Sequence, residues 1–209
     1  MNGEVVHVQG RRVDPTRDRI EVYGVRIATD PTFDYVVVNK PVGTVTTASD
    51  PQGRPVILDL VESDHRLYPV GRLDVDTTGL VLLTNHGELA HRLAHPRFGI
   101  ERVYVARVKG KADPAALKQL VAGVMLDDGV ARALRAEVIR EGARETQIEI
   151  AMTEGRKREV RRMIEAIEHP VIALARIAFG PLRLGRLKLG GMRRLKPDEV
   201  GELLRIVGL

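Results

Sequence analysis

The run GRLDVDTTGLVLL, residues 71–83, places a single carboxylate, Asp74, two residues after Arg72 and just ahead of a turn through Thr77, Thr78 and Gly79 into the apolar run 80–83. A carboxylate held at the mouth of a buried strand can serve as nucleophile or general base when it is ionised and aimed. Read one at a time, Asp74 could equally cap a turn and Arg72 could equally serve a surface ion pair. The second concentration of chemistry is EGRKREVRRMIEAIEHP, residues 154–170. Helical spacing over 157–168 turns Val160, Met163, Ile164 and Ile167 to one face. Arg156, Lys157 and Arg158 precede that face and suit either phosphate contact or a solvated surface. Arg161 directly follows the inward Val160. It therefore sits at the rim of the core, where a guanidinium can reach a loop carboxylate and favour its ionised form.

Other chemistries lack their anchors. The chain has no cysteine, which removes disulfides, thiolate metal sites and thiol catalysis. It carries no GxGxxG, P-loop or GxSxG pattern. His91 and His95 are four apart, with His86 nearby, but no acidic third ligand accompanies them, so they read as polar helix residues rather than a metal pair. Aromatic residues make up only 3% of the chain, too few for a sheet that stacks bases on aromatic platforms.

The elements that must position these residues follow from periodicity and punctuation. Residues 4–27 read as short strands around Val5, Val6 and Val8, then Ile20 and Val22, then Val25 and Ile27, with turn chemistry at Asp14-Pro15. Two or three such strands are too few to fold alone, and the boundary to the next unit falls at 28–32. YVVVNKPVG, from Tyr35, is a buried strand ending in a Pro-Gly turn. A short helix starts at Pro55 with Ile57, Leu58 and Val61 inward. Residues 67–70 lead into the Asp74 loop and 80–84 leave it. Asn85 with Glu88 resembles a capping box for a helix over 86–94, stopped by Pro96. Residues 102–108 alternate as a strand, with Tyr104 either core or functional. Asp113 and Pro114 open a helix closed by Gly123. Residues 133–140 and 145–152 form a hairpin. VIALARIAF and PLRLGRLKLG return to strand, and Pro197 opens a last helix that Gly208 stops. Strands outnumber helices and few helices connect successive strands. This predicts an α+β fold around a mixed, largely antiparallel sheet with flanking helices.

Composition sets the class of partner. With 209 residues, 44% hydrophobic and 29% charged, the chain is ordinary for a soluble globular protein. No apolar stretch approaches the roughly 18 residues of a membrane span. The start, MNGEVVHVQGRR, lacks a signal-peptide core, so a cytoplasmic protein is the expectation. Residues 154–209 hold 13 Lys/Arg against 7 Asp/Glu, whereas the preceding 153 residues hold 20 against 21. All of the positive excess lies in the last quarter, as suits a polyanionic partner.

Three segments in this order, GRLDVDTTGLVLLTNHGELAHRLAHPR with RVYVARV, then EGRKREVRRMIEA, then ARIAFGPLRLGRLKLGGMRRL, resemble the pseudouridine synthases that modify single sites in ribosomal RNA, over residues 33–205. The EGRKREVRRM segment is more similar to the large-subunit type B enzymes than to the small-subunit enzyme. The resemblance implies a catalytic domain over 30–209. It also implies that residues 1–29 are the strand half of an alpha-L RNA-binding module, whose two opening helices are expected to be truncated. It implies Asp74 as the catalytic aspartate, attacking C1′ of the ribose or acting by another covalent or elimination route. Tyr104 then packs on the target base and takes the C5 proton. Arg161 pairs with the aspartate, Arg72 fills the gap left by a flipped nucleotide, and Val160 walls the uracil pocket. Arg156, Lys157 and Arg158 are expected to contact RNA. No metal or organic cofactor is implied, no membrane partner, and a monomer is expected. His86 stands where an Asp is common and Arg102 where a Lys is common, departures expected to alter rigidity or RNA contact rather than chemistry. The expected activity is uridine-to-pseudouridine isomerisation in a large-subunit rRNA stem-loop. The alternatives are a non-catalytic RNA-binding or ribosome-assembly factor on the same fold, or the same chemistry on small-subunit rRNA or tRNA.

Overall fold

The chain divides into two units, Met1–Phe33 and Asp34–Leu209. The structure, a computed structural model, describes residues 1–7, 10, 11, 13, 18–22, 25, 26 and 32–209. In the first unit β1 (Glu21–Val22) pairs antiparallel with β2 (Val25–Arg26). Asn2 ties the start of the chain to this ribbon, donating from its side chain to Asp18 and accepting from the Arg19 N–H. The strand expected around Val5 and Val6 does not form, and Val5 is exposed. Two apolar residues with no sheet face to bury them gain little from extension. Val8, Ile27 and the Asp14-Pro15 turn lie outside the described residues.

In the second unit the strands are β3 (Tyr35–Lys40), β4 (Tyr68–Val70), β5 (Thr77–Thr84), β6 (Arg102–Lys109), β7 (Val124–Leu126), β8 (Gly129–Ala131), β9 (Arg135–Glu141), β10 (Glu145–Met152), β11 (Val171–Phe179), β12 (Leu182–Arg183) and β13 (Met192–Arg194). The helices are α1 (Gly87–Ala94), α2 (Pro114–Ala122), α3 (Glu159–Ala166) and α4 (Pro197–Val207). The main sheet runs β13-β3-β5-β11-β6-β10-β9, with β4 added to β5 and β12 to β11. Its pairs are antiparallel except β5 with β11. The fold is thus α+β on a mixed, mostly antiparallel sheet. Among the described residues no helix is long and apolar enough to cross a membrane.

Alternation along the central strands sorts the core into two layers. Val36, Val38, Val81 and Leu83 point to one face, where Leu117 and Leu120 of α2 and Val160, Met163 and Ile164 of α3 cover them. Val37, Leu80 and Leu82 point to the other, under Leu89 and Leu93 of α1 and Leu203 and Val207 of α4. Both faces of β5 are therefore buried, which is why 80–83 reads as an unbroken apolar run rather than an alternating one.

Several local expectations change. α1 is capped at His86 without a side-chain bond, because the Asn85 Oδ1 expected to cap it instead accepts the Asp34 N–H at 2.8 Å. The short helix after Pro55 is a 3-10 turn over Ile57–Leu60. α3 begins at Glu159, two residues later than the periodicity suggests, with Arg158 in the left-handed conformation ahead of it. PLRLGRLKLG contributes only β12. Leu184 and Leu187 then pack on the second core layer from turns, and Asn39 holds that stretch by donating to the Leu187 carbonyl at 2.8 Å. The hairpin β7–β8 carries no alternation long enough to reveal it in advance.

Candidate active site

The Asp74 loop is pinned from both sides before it enters β5. Buried Thr46 Oγ1 donates to the Leu73 carbonyl at 2.9 Å and accepts the Leu73 N–H at 3.2 Å. The Gly43 N–H donates to the Val75 carbonyl, and the Thr77 N–H closes a turn onto the Asp74 carbonyl at 3.0 Å. Leu73 anchors the loop in the first core layer. These bonds fix the backbone that carries the half-buried Asp74 side chain. The side chain faces a cleft of about 430 Å³ lined by Arg72, Leu73, Tyr104, Arg158, Val160 and Leu174 among others. A volume of that size is typical of sites for small molecules or single nucleotides. The Asp74 carboxylate makes no hydrogen bond or ion pair with another described residue, so its oxygens are available to a ligand.

The ion pair expected between Asp74 and Arg161 falls two residues on. Arg161 Nη2 donates to the Asp76 carbonyl at 2.9 Å and lies 3.5 Å from the Asp76 carboxylate. Arg158 Nη1 contacts both Asp76 carboxylate oxygens at 3.0 Å. The reason is geometric. The turn from Asp74 to Thr77 aims Asp74 into the cleft and Asp76 back toward α3. Arg161 is 5% exposed, and its second contact is Thr77 Oγ1 at 3.4 Å, so it locks the end of the loop to the helix rather than touching the free carboxylate. Arg158 reaches Asp76 from a φ of 51°, a conformation that costs a non-glycine residue about 1–2 kcal/mol.

Lys40 was not singled out in the sequence, yet it is fully buried at the end of β3. Its Nζ donates to the carbonyls of Pro41 at 2.9 Å and Thr44 at 2.8 Å. Burial pulls the ammonium down to about 8, against the attraction of Asp76 and Asp74. Lys40 is thus a cation close enough to both carboxylates to feel their charge. Its signal was present: in YVVVNKPVG it shares the parity of Val36 and Val38, the inward positions of β3.

The remaining expected residues are brought together unequally. Tyr104 and Val160 both line the cleft, at 8% and 7% exposure. Arg72 is exposed at the rim. Arg156 is tied up, paired with Asp128, Glu154 and Glu159. Lys157 is exposed and has no ion pair among the described residues. The His91 and His95 rings lie 5.6 Å apart between centroids, tilted by 55°, and among the described residues no group of three or more His, Asp or Glu is placed to hold a metal ion.

One glycine joins this site to the rest of the sheet. Gly79 pairs with Arg176 in the parallel β5–β11 ladder at a φ of +111°, and a Cβ there would stand 2.2 Å from the Arg176 carbonyl oxygen. Only glycine permits that approach, which explains the TTG ahead of the apolar run.

Residues 34–166 match the family model described as RNA pseudouridylate synthase. A relative from Aquifex aeolicus, an uncharacterized RNA pseudouridine synthase, is 41% identical over all of this chain and 84% of its own length. Ribosomal large subunit pseudouridine synthase B of Bacillus subtilis is 40% identical over 97% of this chain and 84% of its own. A solved structure described as a pseudouridylate synthase superposes with a TM-score of 0.76 at 28% identity, over 97% of this chain and 86% of that one.

Proposed function

Because this chain belongs to the RNA pseudouridylate synthase family, we propose that it converts a uridine of large-subunit ribosomal RNA to pseudouridine, with Asp74 as the group that acts on the nucleotide. The single observation that carries this reading is the free Asp74 carboxylate, rigidly mounted and facing a nucleotide-sized cleft between Tyr104, Val160 and Arg72.

The reaction breaks the N1–C1′ bond, turns the detached uracil and joins C5 to C1′. The proton leaves C5 and N1 gains one, so atoms and charge balance without an oxidant. The Asp74 carboxylate acts either by attack on C1′ or by an elimination route that begins with proton removal from the ribose. Tyr104 and Val160 form the apolar walls that hold the uracil while it is detached, and the Tyr104 hydroxyl relays the C5 proton, its own proton passing on to solvent as it accepts that one. A base inside an RNA stack cannot reach the carboxylate, so the uridine must leave the stack. Arg72, exposed beside the cleft, fills the space it vacates. Asp76, Arg158, Arg161 and Lys40 hold the loop and its charges.

The test is an Asp74→Asn variant as the sole copy, with pseudouridines mapped across rRNA. The expected result is one large-subunit position that stays uridine while the variant still binds rRNA. Persistence of every pseudouridine would overturn a catalytic role for Asp74, and a protein that only binds RNA would produce that outcome.

A further inference from the structure

A second cleft, of about 540 Å³, adjoins the first and shares Gly71, Arg72, Tyr104, Glu154, Gly155 and Arg156 with it. Among the residues that line only the second cleft are Arg102 and Arg176, respectively 8% and 1% exposed. Both guanidinium groups lie over the Phe179 ring, at 5.6 and 5.3 Å from its centroid. Neither forms an ion pair with a carboxylate among the described residues. Arg102 spends its Nη1 on the Thr153 carbonyl at 2.5 Å, and Arg176 spends its Nε on the Leu80 carbonyl at 2.8 Å. The Nη2 of Arg176 is buried with no hydrogen-bond partner among the described residues.

Two neighbouring buried cations are a costly arrangement. Taking charge out of water costs several kcal/mol per ion unless a counter-charge is supplied. Burial, and then the charge of Arg176, pull Arg102 below the usual guanidinium range, against the attraction of Tyr104 and Glu159. Aliphatic side chains would fill the same space without that cost. The arrangement makes sense if an anion enters the second cleft when the first is occupied. A planar guanidinium matches the oxygens of a phosphate, and a donor already desolvated binds without shedding water.

We propose that Arg102 and Arg176 hold a phosphodiester of the RNA strand next to the nucleotide that enters the Asp74 cleft. The source is a phosphodiester rather than a free anion, because the two clefts are continuous through Arg72 and Tyr104. A strand that delivers a base to one must lay its backbone across the other. Charge capture at this point draws the backbone down beside the flipped nucleotide and orients its ribose toward Asp74. The proposal rests on the reading that the Asp74 cleft takes a uridine in RNA.

The probe is the fluorescently labelled heptamer AAAUAAA, whose single uridine fixes the register. Each linkage is replaced in turn by an uncharged methylphosphonate, and binding to the full-length protein is measured from low to high salt. For wild type, one linkage beside the uridine should cost about tenfold in affinity when neutralised. That same linkage should cost Arg176→Gln and Arg102→Gln almost nothing, and their salt dependence should fall by about 0.7 per lost contact. Lack of binding by the charged heptamer, or equal loss at that linkage in wild type and variants, overturns the proposal. So does a melting shift from inorganic phosphate alone with no sensitivity to any neutral linkage, which would mark a free-anion site. If Arg176→Gln does not fold, the wild-type linkage scan together with Arg102→Gln decides the matter. Pseudouridine formation by wild type and Asp74→Asn is followed in parallel. Loss of modification in Asp74→Asn without the linkage effect sinks only the phosphate site. Retained modification in Asp74→Asn with the linkage effect intact sinks only the catalytic assignment.

Discussion

Substituting Gly79 by alanine tests the link between the Asp74 loop and the sheet. The new Cβ would meet Arg176 backbone atoms at 2.2 Å (O), 2.6 Å (N) and 2.9 Å (C). Backbone in a central sheet cannot swing aside as a side-chain tip can. Ordinary contact begins near 3.4 Å, so β5 and β11 must separate by roughly an ångström, which loses one or two ladder hydrogen bonds at about 1 kcal/mol each. The φ of +111° adds about 1–3 kcal/mol for any residue with a Cβ. The sum is about 2–5 kcal/mol. At about 2–4 °C per kcal/mol for a chain of this size, the melting temperature should drop by roughly 4–20 °C. Thermal and denaturant unfolding followed by circular dichroism measure it. Gly201→Ala is the matched control. Gly201 lies inside α4 with open space around its Cβ position, so alanine there should raise stability by up to about 1 kcal/mol. A Gly79→Ala protein that melts within about 2 °C of wild type would refute the argument from close approach.

Three other outcomes follow from the same geometry. Asp76→Ala strips the buried Arg161 of its carboxylate and should cost about 2–3 kcal/mol in unfolding free energy, while Asp74→Ala, which breaks no side-chain contact, should leave the melting temperature nearly unchanged; equal melting of the two variants contradicts the pairing described. Lys40 has a folded value near 8 against an ordinary 10.5, so the folded chain binds fewer protons between those values and stability should rise as pH climbs from 8 to 10.5; a wild-type stability no steeper with pH than that of Lys40→Met rules this out. Among the three cations ahead of α3, Lys157→Ala should lower the salt dependence of RNA binding and Arg156→Ala should mainly loosen the β7–β8 hairpin, as measured by binding titrations at several salt concentrations and by hydrogen exchange at 128–130; an Arg156→Ala slope change larger than that of Lys157→Ala argues the reverse.

Much of the architecture was legible because it rests on patterns that local physics enforces. The unbroken apolar run of β5, the alternation of β6 and β10 and the Asp113-Pro114 start of α2 each declare themselves within a few residues. The grouping of Asp74, Tyr104 and Val160 around one cleft was likewise expected from their motifs. What could not be read were choices between equivalent partners. Nothing local says whether Arg161 reaches Asp74 or Asp76, since the answer depends on a turn closed by one hydrogen bond from Thr77. Asn85 had two uses for its side chain, and a strand start 51 residues away took it. Lys40 and Arg176 look like ordinary strand residues until the sheet order shows what lies on their inward side. The RLGRLKLG stretch alternates like a strand, yet turns place Leu184 and Leu187 on the second core layer and leave Leu189 exposed.

The parallel pairing of β5 with β11 also governs when the protein can begin to work. Gly79 and Arg176 stand 97 positions apart along the chain, and α3 with its arginines arrives only shortly before β11. As the polypeptide emerges from the ribosome, the Asp74 loop is made early but has nothing to lock against until some 100 residues more have been synthesised. Joining segments so distant is slow compared with forming a hairpin. A half-made chain therefore carries the Asp74 carboxylate without the frame that aims it, and chemistry on RNA waits until β11 has been made.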